Sequence, residues 1–300
     1  MTLKLILIIT LCAPDLQEME RAYRQTLGYT LVDRGQISAP LSREWHAPNM
    51  RGHEYILLRP ASEANVFLRI IQTAAVEGYR PMSTFGWNAV EMQVQDPDAL
   101  AGKLREAGSG FSVVGEPRPL GPASPIRAMQ ATGPAHEVLY LTKLPDVDRQ
   151  PVARTFVDRP FIIVLGNRSL PQTRLFWRDT LGVDSSSPVQ LRMTVLNEAF
   201  GLGIETVHPL SLARLSAEGA IEMDQYPAQA LERPQRAGEL PPAISLVSFA
   251  TDSLQPVAGL LLAPAVSLDE APYHGRRAGT LRGPAGELIE LIEDEPSHRH

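Results

Sequence analysis

The sequence predicts an α+β protein made of four copies of a βαβββ module, paired into two domains. Three observations carry that prediction. An apolar strand leading into a capped amphipathic helix occurs four times, stretches of alternating polarity follow each helix, and the second and fourth copies close on the same Gly-Pro-Ala turn. A repeated unit that cannot bury its apolar face alone has to pair with another copy.

The first copy opens on the apolar run 5–11, reaches Asp15-Leu16, and its helix ends Arg24-Gln25-Thr26-Leu27-Gly28. The third opens on 161–165, reaches Ser169-Leu170 and ends Arg178-Asp179-Thr180-Leu181-Gly182. Asp15 and Ser169 carry side-chain oxygens suited to N-caps, and Gly28 and Gly182 stand where a helix stop turns left-handed. In the second copy, residues 89–94 lead to Asp96 and a helix through Glu106. In the fourth, residues 244–250 lead to Asp252 and a shorter helix interrupted by Pro256. Period-two stretches at 54–59, 65–72, 126–131, 190–196 and 220–225 predict strands. The turn Gly133-Pro134-Ala135-His136-Glu137 is matched by Gly283-Pro284-Ala285-Gly286-Glu287. The copies start at intervals of 81, 73 and 83 residues, each ample for one module. The expected domains are residues 1–145 (modules one and two) and 157–300 (modules three and four). Residues 146–156 join them, and 227–242 form a long polar loop.

Composition narrows the function. Three hundred residues with 44% hydrophobic and 21% charged content make a soluble two-domain chain. A net charge of −6 gives no electrostatic footprint for nucleic acid or anionic lipid. The apolar run after Lys4 is short for a signal peptide and lacks a small-x-small cleavage site, so it reads as a buried first strand. No stretch reaches the roughly 20 apolar residues of a transmembrane helix. Cys12 is the single cysteine, which excludes an internal disulfide and fits a reducing, cytoplasmic setting.

The strand-then-Asp-Leu start, the Thr-Leu-Gly helix end and the finish from Gly283 through Glu290-Leu291 together resemble the vicinal oxygen chelate superfamily. That group includes glyoxalase I, bleomycin-resistance proteins, fosfomycin-resistance enzymes and extradiol dioxygenases. Four modules at this length resemble the layout of an extradiol dioxygenase most closely. The resemblance covers nearly the whole chain. It implies tandem glyoxalase-like domains, with modules pairing into two curved half-barrel sheets that carry outer helices and enclose a cavity. It is specific for fold and weak for reaction, because one fold hosts several chemistries.

The resemblance also implies metal ligands facing inward, His or Gln from each first strand and Glu from each last strand. Here the first-strand positions hold Ile8, Ala89, Ile162 and Ser245, none a competent ligand. The last-strand positions hold Arg69, Tyr140, Glu222 and Glu290. An extradiol dioxygenase resembling this layout needs two His and one Glu where this chain has Ile162, Ser245 and Glu290. The seven histidines (46, 53, 136, 208, 274, 298 and 300) fall elsewhere. No metal site and no cofactor are expected, a loosely held divalent ion on carboxylates being the alternative.

What remains is a metal-free polar cavity. In the first half Thr10, Cys12, Arg69, Glu91, Gln93 and Tyr140 are expected to face inward. Arg69 opposite Glu91 makes either an internal ion pair or an anchor for a ligand carboxylate or phenolate. In the second half Glu222 and Glu290 are expected to converge as an acid–base pair, with Ser245 hydrogen-bonding a substrate oxygen. The function expected is a metal-independent lyase or isomerase acting on a small aromatic or carbonyl metabolite. The alternative is a bleomycin-resistance-like binding protein without turnover, and an extradiol dioxygenase ranks last. The expected partner is a small-molecule ligand, with a homodimer allowed and neither nucleic acid nor membrane involved.

Overall fold

The computed structural model describes residues 1–121, 123–146 and 152–294. Module one comprises β1 (Leu3–Ala13), α1 (Leu16–Arg21), β2 (Thr30–Gln36), α2 (Ala39–Glu44), β3 (Glu54–Arg59) and β4 (Phe67–Gln72). Module two comprises β5 (Gly86–Val94), α3 (Pro97–Leu104), β6 (Ser112–Pro119), β7 (Arg127–Thr132) and β8 (Val138–Lys143). Module three comprises β9 (Val157–Asn167), α4 (Leu170–Leu181), β10 (Val189–Arg192), α5 (Thr194–Ala199), β11 (Val207–Arg214) and β12 (Ala220–Gln225). Module four comprises β13 (Ala243–Thr251), a 3-10 turn at Gln255–Leu260, β14 (Val266–Ser267), β15 (Arg277–Arg282) and β16 (Leu288–Glu293). Residues 147–151 of the expected linker, and the tail histidines 298 and 300, lie outside the described residues.

The caps form as their chemistry dictates. Asp15, Asp96 and Ser169 accept hydrogen bonds from backbone N–H groups in the first turns of α1, α3 and α4, and Gly182 ends α4 in the left-handed region at φ 70°. Two details differ from expectation. The fourth-module Asp252 accepts from the Thr2 N–H at 2.8 Å instead of capping an α-helix, because Pro256 leaves only a 3-10 turn behind it. The strand expected over 190–196 stops at Arg192. Residues 194–199 turn helical, which buries Leu196 and lets Asn197 reach the Thr206 carbonyl and His208.

The sixteen strands form two curled eight-stranded sheets, ordered β14-β15-β16-β13-β1-β4-β3-β2 and β10-β11-β12-β9-β5-β8-β7-β6. At the middle of each, the first strands of two modules pair antiparallel, β1 with β13 and β5 with β9. Modules one and four therefore share one sheet, the outer-module sheet, while modules two and three share the inner-module sheet. The expectation that residues 1–145 and 157–300 each close a sheet of their own is corrected on this point. All four modules present the same apolar first-strand edge, so periodicity alone cannot choose between partners.

One core joins the sheets. Trp87 of β5, Trp177 of α4 and Phe249 of β13 meet with centroids 5.8–6.3 Å apart, and the Trp87 indole N–H donates to the Leu288 carbonyl. The loop 227–242 crosses between the sheets. Its half-buried Arg233 donates to the carbonyls of Ile244 and Trp87, one in each sheet. Among the described residues no helix is long and apolar enough to cross a membrane.

Candidate functional site

Strand alternation aims two sets of side chains at the two concave faces. In the outer-module sheet, Ile8 registers with Ser248, Ser248 with Glu290, and Thr10 with Arg69. Arg69 is 1% exposed and Glu290 fully buried. The Arg69 guanidinium lies 5.2 Å from the centroids of both Trp45 and Tyr273, and donates to the Tyr273 hydroxyl at 3.0 Å. That hydroxyl donates to Glu290 Oε1 at 2.7 Å, the Trp45 indole N–H donates to the same oxygen at 2.9 Å, and Ser248 Oγ donates to Oε2. Burial works against the Arg69 charge, but Tyr273 and Glu290 outweigh it and the guanidinium stays charged. Beside them, Glu44 is held well above the carboxylate range, first by burial and then by the Glu290 charge.

This face is filled by the chain itself. The segment from α2 to Trp45 packs Leu41 and Trp45 onto Leu57, Phe67 and Leu246. A cation at one last-strand position and Ile8 on a first strand do not make a donor set for a metal ion. Ser245 is not beside Glu290. A bulge between the Thr10 and Leu11 pairings displaces it, and its hydroxyl turns to the carbonyls of Pro241 and Ala243. Thr10 faces inward with its hydroxyl unpartnered. Cys12 is buried, and burial pushes its thiol up to about 12.

The inner-module sheet keeps an open cavity of about 490 Å³. Its floor carries Glu91, Tyr140, Thr142, Gln130 and Glu222, and its walls carry Leu120, Leu191, Met193 and Val195. Arg118 and Arg192 stand exposed at the mouth. Tyr140 registers with Glu91, Glu222 with Val164, and Asp224 with Gly166. Thr142 Oγ1 donates to Glu91 Oε1 at 2.5 Å. Burial, then the Glu222 charge, pushes Glu91 up to about 8. Burial, then Asp224, pushes Glu222 well above the carboxylate range, and burial lifts Asp224 to about 8. Tyr140 is raised by burial and then by Asp224, Glu222 and Glu91.

The sequence-derived candidates are thus redistributed. Glu222 and Glu290 do not converge, because they lie on different sheets. Arg69 does not face Glu91; the carboxylate it reaches, through the Tyr273 hydroxyl, is Glu290. The structure instead brings Glu91, Tyr140 and Glu222 together, and adds Asp224. That residue shares a strand face with Glu222 two positions earlier, a period-two signal already present in Glu222-Met223-Asp224. No group of three His, Cys, Asp or Glu side chains among the described residues converges to hold a metal ion. With Ala89 and Ile162 on the first strands and no imidazole lining the cavity, the metal that the sequence resemblance implies has no donor set here either. Of the described histidines, His208 binds Asn197 and His53 the Gln72 carbonyl, while His46, His136 and His274 occupy left-handed turns.

Comparison with solved structures settles the architecture. Glyoxalase I from Zea mays superposes with a TM-score of 0.65 at 13% identity, covering 96% of this chain and 92% of that one. A putative dioxygenase from Bacillus subtilis subsp. subtilis str. 168 gives 0.63 at 12% identity, covering 100% and 88%. The chain has the vicinal oxygen chelate fold. No family model matches the chain, and no curated protein matches it in sequence. Identities of 12–13% carry the vicinal oxygen chelate architecture and not its chemistry.

Proposed function

We propose that the protein binds a small aromatic or carbonyl-bearing metabolite in the inner-module cavity and acts on it as a lyase or isomerase by acid–base chemistry without a metal. The observation that carries this reading is the carboxyl cluster on the floor, where Glu91 is raised to about 8 and Glu222 well above its ordinary value. Two carboxyls that cannot both ionise share a proton, leaving an acid and a base side by side. In this reading the neutral carboxyl, helped by the Tyr140 hydroxyl, donates to a substrate oxygen while its ionised partner removes a proton. Thr142 and Gln130 position the ligand, and the apolar walls hold its hydrocarbon part. A cytoplasmic setting is proposed with it, on the strength of the lone buried cysteine.

The test is a carboxyl titration with ¹³C-labelled glutamate. Glu91 is expected to titrate near 8, and Glu222→Gln to lower it by about one unit by removing a like charge. A Glu91 that titrates near about 4.3 in the wild-type protein removes the basis for acid–base work here.

A further inference from the structure

We propose that the ligand of the inner-module cavity carries a cationic nitrogen, an ammonium or guanidinium-type group, seated among Glu91, Glu222 and Tyr140. This rests on the cavity being the working site and names the chemical class it takes. The first observation is an uncompensated cluster. Among the described residues no basic side chain stands against Glu91, Glu222 or Asp224. The arginines at the mouth are engaged elsewhere, Arg118 with Thr194 Oγ1 and Arg192 with Glu205, both at 2.7 Å. Asp224, 0% exposed, lies behind the cavity floor against Glu222, so what opposes a charge on Glu222 is a second carboxyl and not a cation. Carboxyls on a cavity floor with no cation against them favour a cationic partner from outside the chain.

The second observation is independent and comes from the sister sheet. Pseudo-symmetry relates Arg69, registered with the first strand of module one, to Tyr140, registered with the first strand of module two. It likewise relates Glu290, registered with module four's first strand, to Glu222, registered with module three's. In the outer-module sheet the chain places its own guanidinium on the concave face, against Glu290 and between the rings of Trp45 and Tyr273. The inner-module face keeps the carboxylate, doubles it with Asp224, adds Glu91, and has no such cation. One cleft is thus plugged by a tethered cation, and its twin has the acids, an aromatic ring and open volume for a free one. Apolar walls at Leu120, Met193 and Val195, and the absence of a converging three-ligand set, favour an organic cation over a metal ion.

The test is calorimetric titration of the full chain with three probes of one shape: phenethylamine, 2-phenylethanol and 3-phenylpropanoate. The amine is expected to bind at least tenfold more tightly than the alcohol, with the propanoate weakest. Glu91→Gln and Glu222→Gln, both isosteric, are each expected to weaken the amine about tenfold and to change the alcohol far less, with melting temperature reporting the fold. Equal binding of amine and alcohol overturns the cation while leaving the small-molecule cavity standing. Failure of all three probes overturns both readings. Manganese(II) alone binding more tightly than the amine overturns the choice of an organic ligand.

Discussion

Arg69 and Glu290 show how one residue's environment sets its cost. Arg69 cannot shed its proton, and it reaches Glu290 through the Tyr273 hydroxyl while Glu290 keeps further donors of its own, so the two are not equivalent on deletion. Glu290→Gln strands a guanidinium that is 1% exposed, and is expected to cost about 3–5 kcal/mol in denaturant unfolding. Arg69→Met is expected to cost less than Glu290→Gln, because the Trp45 and Tyr273 donors to Glu290 stay in place. An equal or larger loss for Arg69→Met would show that the buried guanidinium does not depend on Glu290. Cys12 gives a simpler case. With its thiol pushed up to about 12 by burial, it is expected to resist iodoacetamide in the folded protein and react only after denaturation.

At the scale of elements, α2 and Trp45 decide that the outer-module cleft is closed. Trp45 packs against Arg69 and binds Glu290, so Trp45→Ala is expected to cost about 3–5 kcal/mol and to open a cavity where none is useful. Glu44 ends the same helix with no donor on either oxygen. Its folded state favours the protonated carboxyl, so folding is penalised once pH rises above the ordinary range of about 4.3. Glu44→Gln, which is neutral at every pH, is expected to raise stability at pH 8 and change it little at pH 4.5. A loss of stability at pH 8 would mean that Glu44 is ionised and paired.

For the whole molecule, the pairing of modules one with four and two with three makes each half of the chain depend on the other. Fragment 1–145 carries one half of each sheet, leaving β1 and β5 without their central antiparallel partners. Alone it is expected to lack the cooperative unfolding of the full chain, and to regain structure when co-expressed with 152–300. A fragment that folds by itself would contradict the interlocked design. The buried acids also give the molecule a common pH response. Glu137 and Glu287, closing equivalent turns, are raised to about 7, and Glu91 and Asp224 to about 8. Each folded value lies above the unfolded one, so the folded state binds more protons between about pH 4 and 8. Stability present at the acid end of that window is lost as pH rises through it. The melting temperature is expected to be lower at pH 8.5 than at pH 5.5 by about 5 °C or more.

Local chemistry determined what the sequence could show. Caps at Asp15, Asp96 and Ser169, the stop at Gly182 and the repeated turns at Gly133 and Gly283 each depend on a few neighbouring residues, so the four modules were legible in order. So were the inward faces of Thr10, Arg69, Glu91, Tyr140, Glu222 and Glu290, because strand alternation assigns a face without knowing the partner. Partner choice is a tertiary matter. Four near-equivalent first strands allow several pairings of similar backbone hydrogen bonding, and one bulge shifts which serine stands beside Glu290. Only the folded chain links Arg69 to Glu290 through Tyr273, separates Glu290 from Glu222, and sets Glu91 and Glu222 on the floor of one open cavity with Asp224 buried behind them. Burial and repulsion between groups far apart in sequence then set their protonation, a property that no single stretch of sequence contains.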